Sequence, residues 1–407
     1  MNILIINQPT GNRGDESAHK ALIRSLIRNL KDKDCINVAF FGEPKKATLP
    51  FVVKDDKVNY TFIDSSYGKC RVPIVSFKYG IADILCTILP AYRRMNTMIK
   101  SADYVICAPG GICMGKFMNW DHIFWLSRAK RYGKRLAYFS RSFGPFNKGG
   151  KYDSLFEEES LKLLRYCSII SIRDKRTMSF AESLHIPFIP SIDAAFLDYP
   201  KSTITLSDFG LESKQYVVFV PNSLTWQPSY KNVKQEDIDD LHLHVIDNLV
   251  KKYPGYKIVM MPQLFGQESN SDYQYFNVLR KKAGIGDDTI VILDDTVNSD
   301  TQQMIIRNSS FVIGGRYHSI VFSINNQTPF ISLSYEDKMF GLLSILQLED
   351  RQIDMRKFQT QIDAKDELMQ DFNILFSKGF DFELSLFTEK AKKIANNSIQ
   401  QLLMTFK

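Results

Sequence analysis

Ser310-Phe311-Val312-Ile313-Gly314-Gly315-Arg316-Tyr317-His318-Ser319 carries the reading of this chain. A short apolar run ends in two glycines. An arginine, a tyrosine and a histidine follow, and Ile320, Val321, Phe322 and Ile324 then fall at helical spacing. That is a strand, a tight turn and a helix. In an open α/β sheet such a junction lies at the carboxyl edge of the strand, where ligands bind. Gly314 and Gly315 let backbone approach a ligand closely. The first amides of the helix attract an anion, Arg316 adds a planar cationic fork, and His318 can move a proton near neutral pH. The expectation is an anion site with acid–base chemistry beside it. Arg316 and His318 act together only if the helix begins near Tyr317, because residues two apart on a regular helix face different sides.

The same alternation extends outward. In the second half, strands are predicted over 216–220, 257–261, 289–293, 311–313 and 329–333, with helices over 235–252, 272–283 and 298–308 between them. In the first half, strands are predicted over 3–6, 36–41, 58–63, 104–108, 135–140 and 168–172, and helices over 80–100, 119–132, 152–166 and 175–184. The pattern breaks at Pro200, Ser202 and Thr203 and again at Ser207-Asp208-Phe209-Gly210. The expected organisation is a Rossmann-like domain over 1–197, a linker over 198–214, a second Rossmann-like domain over 215–380 and a C-terminal helix over 381–407. Strands alternating with helices give mostly parallel sheets. The fold class is α/β, two doubly wound domains facing a central cleft, in a GT-B-like arrangement. The loop over 8–16 is then expected opposite the loops over 314–318 and 334–338.

Composition narrows the partners. The chain has 407 residues, 44% hydrophobic and 24% charged, with a formal charge of +7. Arg128, Lys130, Arg131, Lys134 and Arg135 form a basic cluster, but no RNA-binding signature or zinc-finger spacing accompanies it, so no nucleic-acid partner is expected. A positive field favours acidic substrates or an anionic membrane surface. Six cysteines without a CxxC pair suit a reducing, cytoplasmic location. The chain opens on a strand with no basic n-region and no cleavage site, so no signal peptide is expected. The apolar stretch Ile81–Tyr92 is shorter than the roughly 20 residues that span a bilayer. A core helix is its stronger reading, and peripheral contact with the inner face of a membrane, beside Arg93 and Arg94, its weaker one.

Other positions carry chemistry. Gly11-Asn12-Arg13-Gly14-Asp15-Glu16 follows the first strand but is not a nucleotide fingerprint. Asp15 and Glu16 at a helix start cap amides and complement the dipole. They also repel a phosphate there, so the loop suits a sugar hydroxyl, whose proton a carboxylate can take. Gly110 and Gly111, Arg141, and Arg173 each follow a strand. For Arg173-Asp174 an ion pair with a helix cap is as strong a reading as catalysis. Lys338, in Ser334-Tyr335-Glu336-Asp337-Lys338, offers a second cation.

Four of these motifs together, Gly11–Glu16, Ser171-Ile172-Arg173-Asp174, Gly314–His318 and Ser334–Lys338, resemble the polysaccharide pyruvyl transferase family, in order over most of the chain. The resemblance implies transfer of an enolpyruvyl-derived group from phosphoenolpyruvate onto two hydroxyls of a glycan sugar, giving a cyclic ketal. It assigns phosphoenolpyruvate binding to Arg316 and acid–base catalysis to His318. Lys338, Gly314 and Gly315 then belong to the donor side. Asn12, Gly14, Gly110, Gly111, Arg141 and Arg173 are further substrate-binding candidates, with Asp15 and Glu16 as bases. Phosphoenolpyruvate is a co-substrate, and neither a cofactor nor a metal is implied. The acceptor is a glycan, and a lipid-linked one suits a protein touching the inner membrane face. Where family members often carry an arginine after the first strand of the second domain, this chain has Asn222, and Arg141 is the expected substitute for that charge. A GT-B glycosyltransferase using a nucleotide sugar, and a sugar- or anion-binding protein without catalysis, are the competing readings.

Overall fold

Unbroken apolar runs belong in parallel strands covered on both faces, and this chain builds two such sheets. The computed structural model describes residues 1–407 except 44, 66–71, 265–270, 295, 362 and 407. The elements of the first half are β1 (Asn2–Ile6), α1 (Arg13–Ile27), β2 (Cys35–Phe41), α2 (Lys45–Thr48), β3 (Val58–Ile63), α3 (Val72–Tyr79), α4 (Ala82–Ile88), α5 (Pro90–Ser101), β4 (Tyr104–Cys107), α6 (Trp120–Arg131), β5 (Arg135–Tyr138), α7 (Asp153–Tyr166), β6 (Ile169–Ile172), α8 (Lys175–Ser183) and β7 (Ile189–Pro190). Those of the second are β8 (Tyr216–Val220), α9 (Gln235–Lys252), β9 (Lys257–Met260), α10 (Asp272–Ala283), β10 (Ile290–Ile292), α11 (Ser299–Asn308), β11 (Val312–Gly314), α12 (Tyr317–Asn325), β12 (Phe330–Ser334), α13 (Asp337–Leu346), β13 (Gln352–Asp354), α14 (Lys357–Thr360), α15 (Ala364–Ser377) and α16 (Ser385–Met404).

Among the described residues, the first sheet runs β3-β2-β1-β4-β5-β6-β7 and the second β10-β9-β8-β11-β12-β13. Neighbouring strands are parallel, with Ile5 level with Val38 and Ile106, and Ile313 level with Phe219 and Ile331. Both orders are Rossmann orders. The strand sequence reverses direction between β1 and β4 in one sheet and between β8 and β11 in the other. The carboxyl ends of the strands at such a reversal are where sheets of this kind take their ligands. The strands at these points are wholly buried: Ile3, Ile5, Ile6 and Val105 to Cys107 in one, Val218 to Val220 and Val312 to Ile313 in the other.

The chain packs as two compact units, one of Met1–Thr10, Asp15–Asp198 and Lys393–Lys407, the other of Gly11–Gly14 and Tyr199–Lys392. The span expected as a linker, 198–214, packs from Tyr199 onward with the second unit. There the Pro200 carbonyl accepts from Arg307 at 3.0 Å and the Gly210 carbonyl from Lys257 Nζ at 2.6 Å. The final helix, expected over 381–407, begins at Ser385. From Lys393 it packs with the first unit, where Ser398 meets Ser191 at 3.0 Å and Thr405 meets the Tyr104 hydroxyl at 2.6 Å.

The single helix expected over 80–100 is instead two, α4 and α5, with α3 just before them. Gly80 at φ +67° separates α3 from α4, and Leu89 is extended before Pro90 opens α5. Edge strands β7 and β13, of two and three residues, are too short to leave a periodic signal. Cys35, Cys86, Cys107, Cys113 and Cys167 are free thiols, and Cys70 lies outside the described residues.

Candidate active site

The turn after β11 lies at the reversal point of the second sheet. Arg316 is extended (φ −124°, ψ 139°) and stands as the N-cap of α12, so the helical dihedrals begin at Tyr317. That is the condition under which Arg316 and His318 can share a site. Gly315 donates to the Val220 carbonyl at 2.7 Å, and a Cβ on it would lie 3.0 Å from that carbonyl oxygen and 3.3 Å from the Asn222 amide. A side chain at residue 315 would press on the backbone that follows β8, so glycine eases the close approach of the two turns.

Arg316 is buried and clamped by a carboxylate that the sequence pattern does not mark. Asp272, the first residue of α10, accepts from its Nε at 3.2 Å and more closely from Nη2. The other carboxylate oxygen of Asp272 accepts the amides of Gln263 at 2.9 Å and Leu264 at 2.8 Å. A buried ion pair needs such additional bonds to offset desolvation. The guanidinium also lies 5.5 Å from the centre of the Trp226 ring. Trp226 donates to Asn222 Oδ1 at 3.2 Å, while Asn222 Nδ2 is buried with no hydrogen-bond partner among the described residues. Between them Leu224 is held at φ +58°, a conformation costly for a bulky residue and characteristic of functional turns.

His318 is buried, its ring edge-on to Tyr317 at 4.9 Å. Its seat is Gly14. A Cβ at residue 14 would fall 1.7 Å from His318 Nδ1 and 1.9 Å from Cγ. Gly14 belongs to the segment Gly11–Gly14 that packs with the second unit. Asn12 bridges Leu264 there, and the Arg13 amide donates to the Gln263 carbonyl at 3.0 Å. One short segment, Gln263–Leu264, thus ties together the Gly14 seat, Asp272 and Arg316.

One strand further on, Glu336 stands just before α13 without a side-chain capping bond and pairs with Lys338 at 2.8 Å. Burial pushes the Glu336 carboxyl up, but Lys338 and the nearby Arg316 outweigh it and hold it below the usual range. Tyr335 is buried between Glu336 and Arg316, and burial drives its phenol well above its ordinary value. Lys338 is partly exposed, 5.2 Å from the Tyr317 ring.

The remaining sequence candidates lie in the first unit. Glu16 is fully buried against Lys20 at 2.7 Å. Asp15 is buried in the first turn of α1, its carbonyl accepting from Gln8 Nε2 at 3.3 Å. Arg173 pairs with Asp193 at 2.5 Å, and Asp174 caps α8 by accepting from the Thr177 amide at 2.8 Å. Arg141 is fully buried. Its Nη1 donates to the carbonyls of Asn7 (3.1 Å) and Ala108 (2.6 Å), and its Nη2 reaches Cys113 Sγ at 2.9 Å. It therefore ties the ends of β1 and β4 across their reversal. Gly110 leaves room for Pro9 beside it, where a Cβ would come within 2.6 Å, and nothing lies within 4 Å of a Cβ at Gly111.

Above this junction is a cavity of about 330 Å³. Phe41, Tyr92 and Trp125 contribute apolar lining, and Glu43, Asn119 and Asp121 polar lining. Glu43 and Asp121 make no ion pair among the described residues, and the Trp125 indole N–H has no partner there either. Among the described residues no group of three or more histidine, cysteine or acidic side chains is placed to hold a metal ion.

Comparison with known proteins agrees with this architecture. The chain is 22% identical over 381 residues to the amylovoran biosynthesis protein AmsJ of Erwinia amylovora, covering 88% of each. Among solved structures it is similar to the trehalose-6-phosphate synthase OtsA (TM-score 0.58, 10% identity, 100% of this chain and 97% of that one). It is also similar to the UDP-GlcNAc 2-epimerase of Neisseria meningitidis (TM-score 0.56, 11% identity, 98% and 100%). At such identity these likenesses speak for the GT-B-like fold of two Rossmann-like domains alone. Residues 12–337 match the family model described as polysaccharide pyruvyl transferase, and on that span of the chain this protein belongs to the polysaccharide pyruvyl transferase family.

Proposed function

We propose that the protein transfers a pyruvyl group from phosphoenolpyruvate onto two hydroxyls of a glycan sugar, releasing phosphate and leaving a cyclic ketal. The observation that carries this reading is the clamp at the second sheet's reversal, a buried Arg316 held by Asp272 two residues before His318. Phosphoenolpyruvate carries a carboxylate and a phosphate. The Arg316 fork, the α12 amides, Asn222 Nδ2 and Lys338 are donors suited to them. His318 as imidazolium protonates the vinyl carbon, which becomes the methyl group. The adjacent carbon turns electrophilic, and the first hydroxyl adds to it as its proton passes to a base. Asp15 and Glu16, at the start of α1, are the candidate bases. Phosphate departs, the second hydroxyl adds, and its proton leaves with the phosphate.

In this reading the acceptor sugar takes the cavity of the first unit. Glu43 and Asp121 suit hydroxyl protons, and the unpartnered Trp125 N–H suits a hydroxyl oxygen. The reaction is tested by phosphate release from phosphoenolpyruvate in the presence of glycan acceptors. His318→Ala is expected to lower it by about 10² to 10⁴. Undiminished release in that variant, or thermal stabilisation by nucleotide sugars and not by phosphoenolpyruvate, overturns the reading in favour of glycosyl transfer or binding alone.

A further inference from the structure

Around α4 an apolar face with a cationic border is left uncovered. Tyr79, at the end of α3, is 62% exposed, and Ile84 and Ile88, one helical turn apart on α4, are 57% and 64% exposed. α4 buries only Cys86. Single exposed apolar side chains need no explanation, but three large ones within ten residues mark an interaction surface. The charge around them has one sign. Between Val72 and Ser101 the cations are Lys78, Arg93, Arg94 and Lys100 and the one acid is Asp83, four against one, a net +3. All four cations are exposed. Asp83 is paired with Arg128 at 2.5 Å and Arg131 at 3.4 Å, so its charge is cancelled and the exposed Arg131 joins the border. On α5, Tyr92, Met95 and Ile99 face the core, which leaves Arg93, Thr97 and Lys100 along the solvent side.

We propose that this face docks on the surface of an anionic lipid bilayer. Tyr79, Ile84 and Ile88 enter the boundary between headgroups and acyl chains, and Lys78, Arg93, Arg94 and Arg131 lie against lipid phosphates. The charge pattern selects this occupant. A second copy of the chain in a two-fold pairing would set the same cations against one another, whereas an anionic leaflet offers a continuous negative plane to a wedge bordered by cations. No described helix is long and apolar enough to cross a membrane, so the contact is peripheral. The inference stands independently of the reaction proposed above.

Co-sedimentation of the intact protein with vesicles tests it. Binding is expected to vesicles containing phosphatidylglycerol and not to phosphatidylcholine alone, with release as salt rises. Ile84→Ser/Ile88→Ser and Arg93→Gln/Arg94→Gln are each expected to weaken it by about tenfold or more. These side chains are exposed, so circular dichroism and the melting temperature should be unchanged. Wild-type protein that stays in solution, variants that bind equally well, or equal binding to neutral vesicles each overturn the proposal. So does a concentration-dependent dimer abolished by Ile84→Ser/Ile88→Ser, which would give the face to a second copy.

Discussion

Gly14 and Asp272 are the two residues on which the geometry of the proposed donor site depends most directly. Gly14 sits in the first turn of α1, where alanine is ordinarily the better helix former by about 0.5–1 kcal/mol. Its missing Cβ is where the His318 imidazole lies. Gly14→Ala is therefore expected to lower phosphate release by about 10²-fold, the usual cost of misplacing a reacting group by an ångström. The protein should stay folded, as measured by its thermal midpoint. Asp272→Asn keeps an oxygen for the Gln263 and Leu264 amides but removes the charge that orients Arg316. KM for phosphoenolpyruvate should rise about tenfold, with a smaller change in kcat. At this scale the sequence was only partly legible. Arg316 and His318 stand out because a glycine turn precedes them. Asp272 lies 44 positions from Arg316 and looks like an ordinary acidic start to a helix. Gly14 reads as a loop glycine, since nothing local says which ring occupies the space above it.

At the scale of elements, strands with both faces buried announced themselves. β1, β8 and the helices α9 and α10 lie within a residue of their expected bounds, because apolar runs and full helical periods are strong signals. The misread helix has a simple cause. Two short helices, α4 and α5, give one helical pattern when written in line, and 80–100 looks like one helix until Leu89 turns extended. The cavity above the β1–β4 reversal was equally hidden. Its polar lining is gathered from distant stretches of chain, among them the loop after β1 (Asn7, Gln8), the turn after β2 (Glu43) and the start of α6 (Asn119, Asp121). If it seats the acceptor, Glu43→Gln/Asp121→Asn should raise the acceptor's KM about tenfold and leave that for phosphoenolpyruvate unchanged. Steady-state kinetics with each substrate varied separately distinguishes the two.

For the molecule as a whole, both units carry a histidine that cannot take a proton while folded. In the first unit burial, then Lys20, holds His19 down to about 3, from the usual 6.5. In the second, burial holds His242 down to about 4, with Asp239 opposing. An unfolded chain protonates both near 6.5. Between the folded and unfolded values the unfolded state binds more protons, so stability falls as pH falls. The contribution is complete above pH 6.5 and is lost from there toward 4 for His242 and 3 for His19. At 1.36 kcal/mol per unit, these two alone should make the stability from urea unfolding at about pH 5 about 4 kcal/mol lower than at about pH 7, and His122, which burial also holds well below its usual value, adds to the loss. An unchanged unfolding midpoint would show that neither histidine is buried neutral.

The return of α16 to the first unit, from Lys393 onward, bears on how this protein can be dissected or rearranged. Cutting at the apparent boundary after Asp198 yields an amino-terminal fragment whose Tyr104 and Ser191 lack their tail partners, Thr405 and Ser398. It also carries Gly11–Gly14, which packs with the other fragment. Such halves are complementing pieces rather than modules. Expressed apart they should be poorly folded, and co-expressed they should rescue one another. A free-standing first unit calls for a fusion that brings the last fifteen residues back to its own chain.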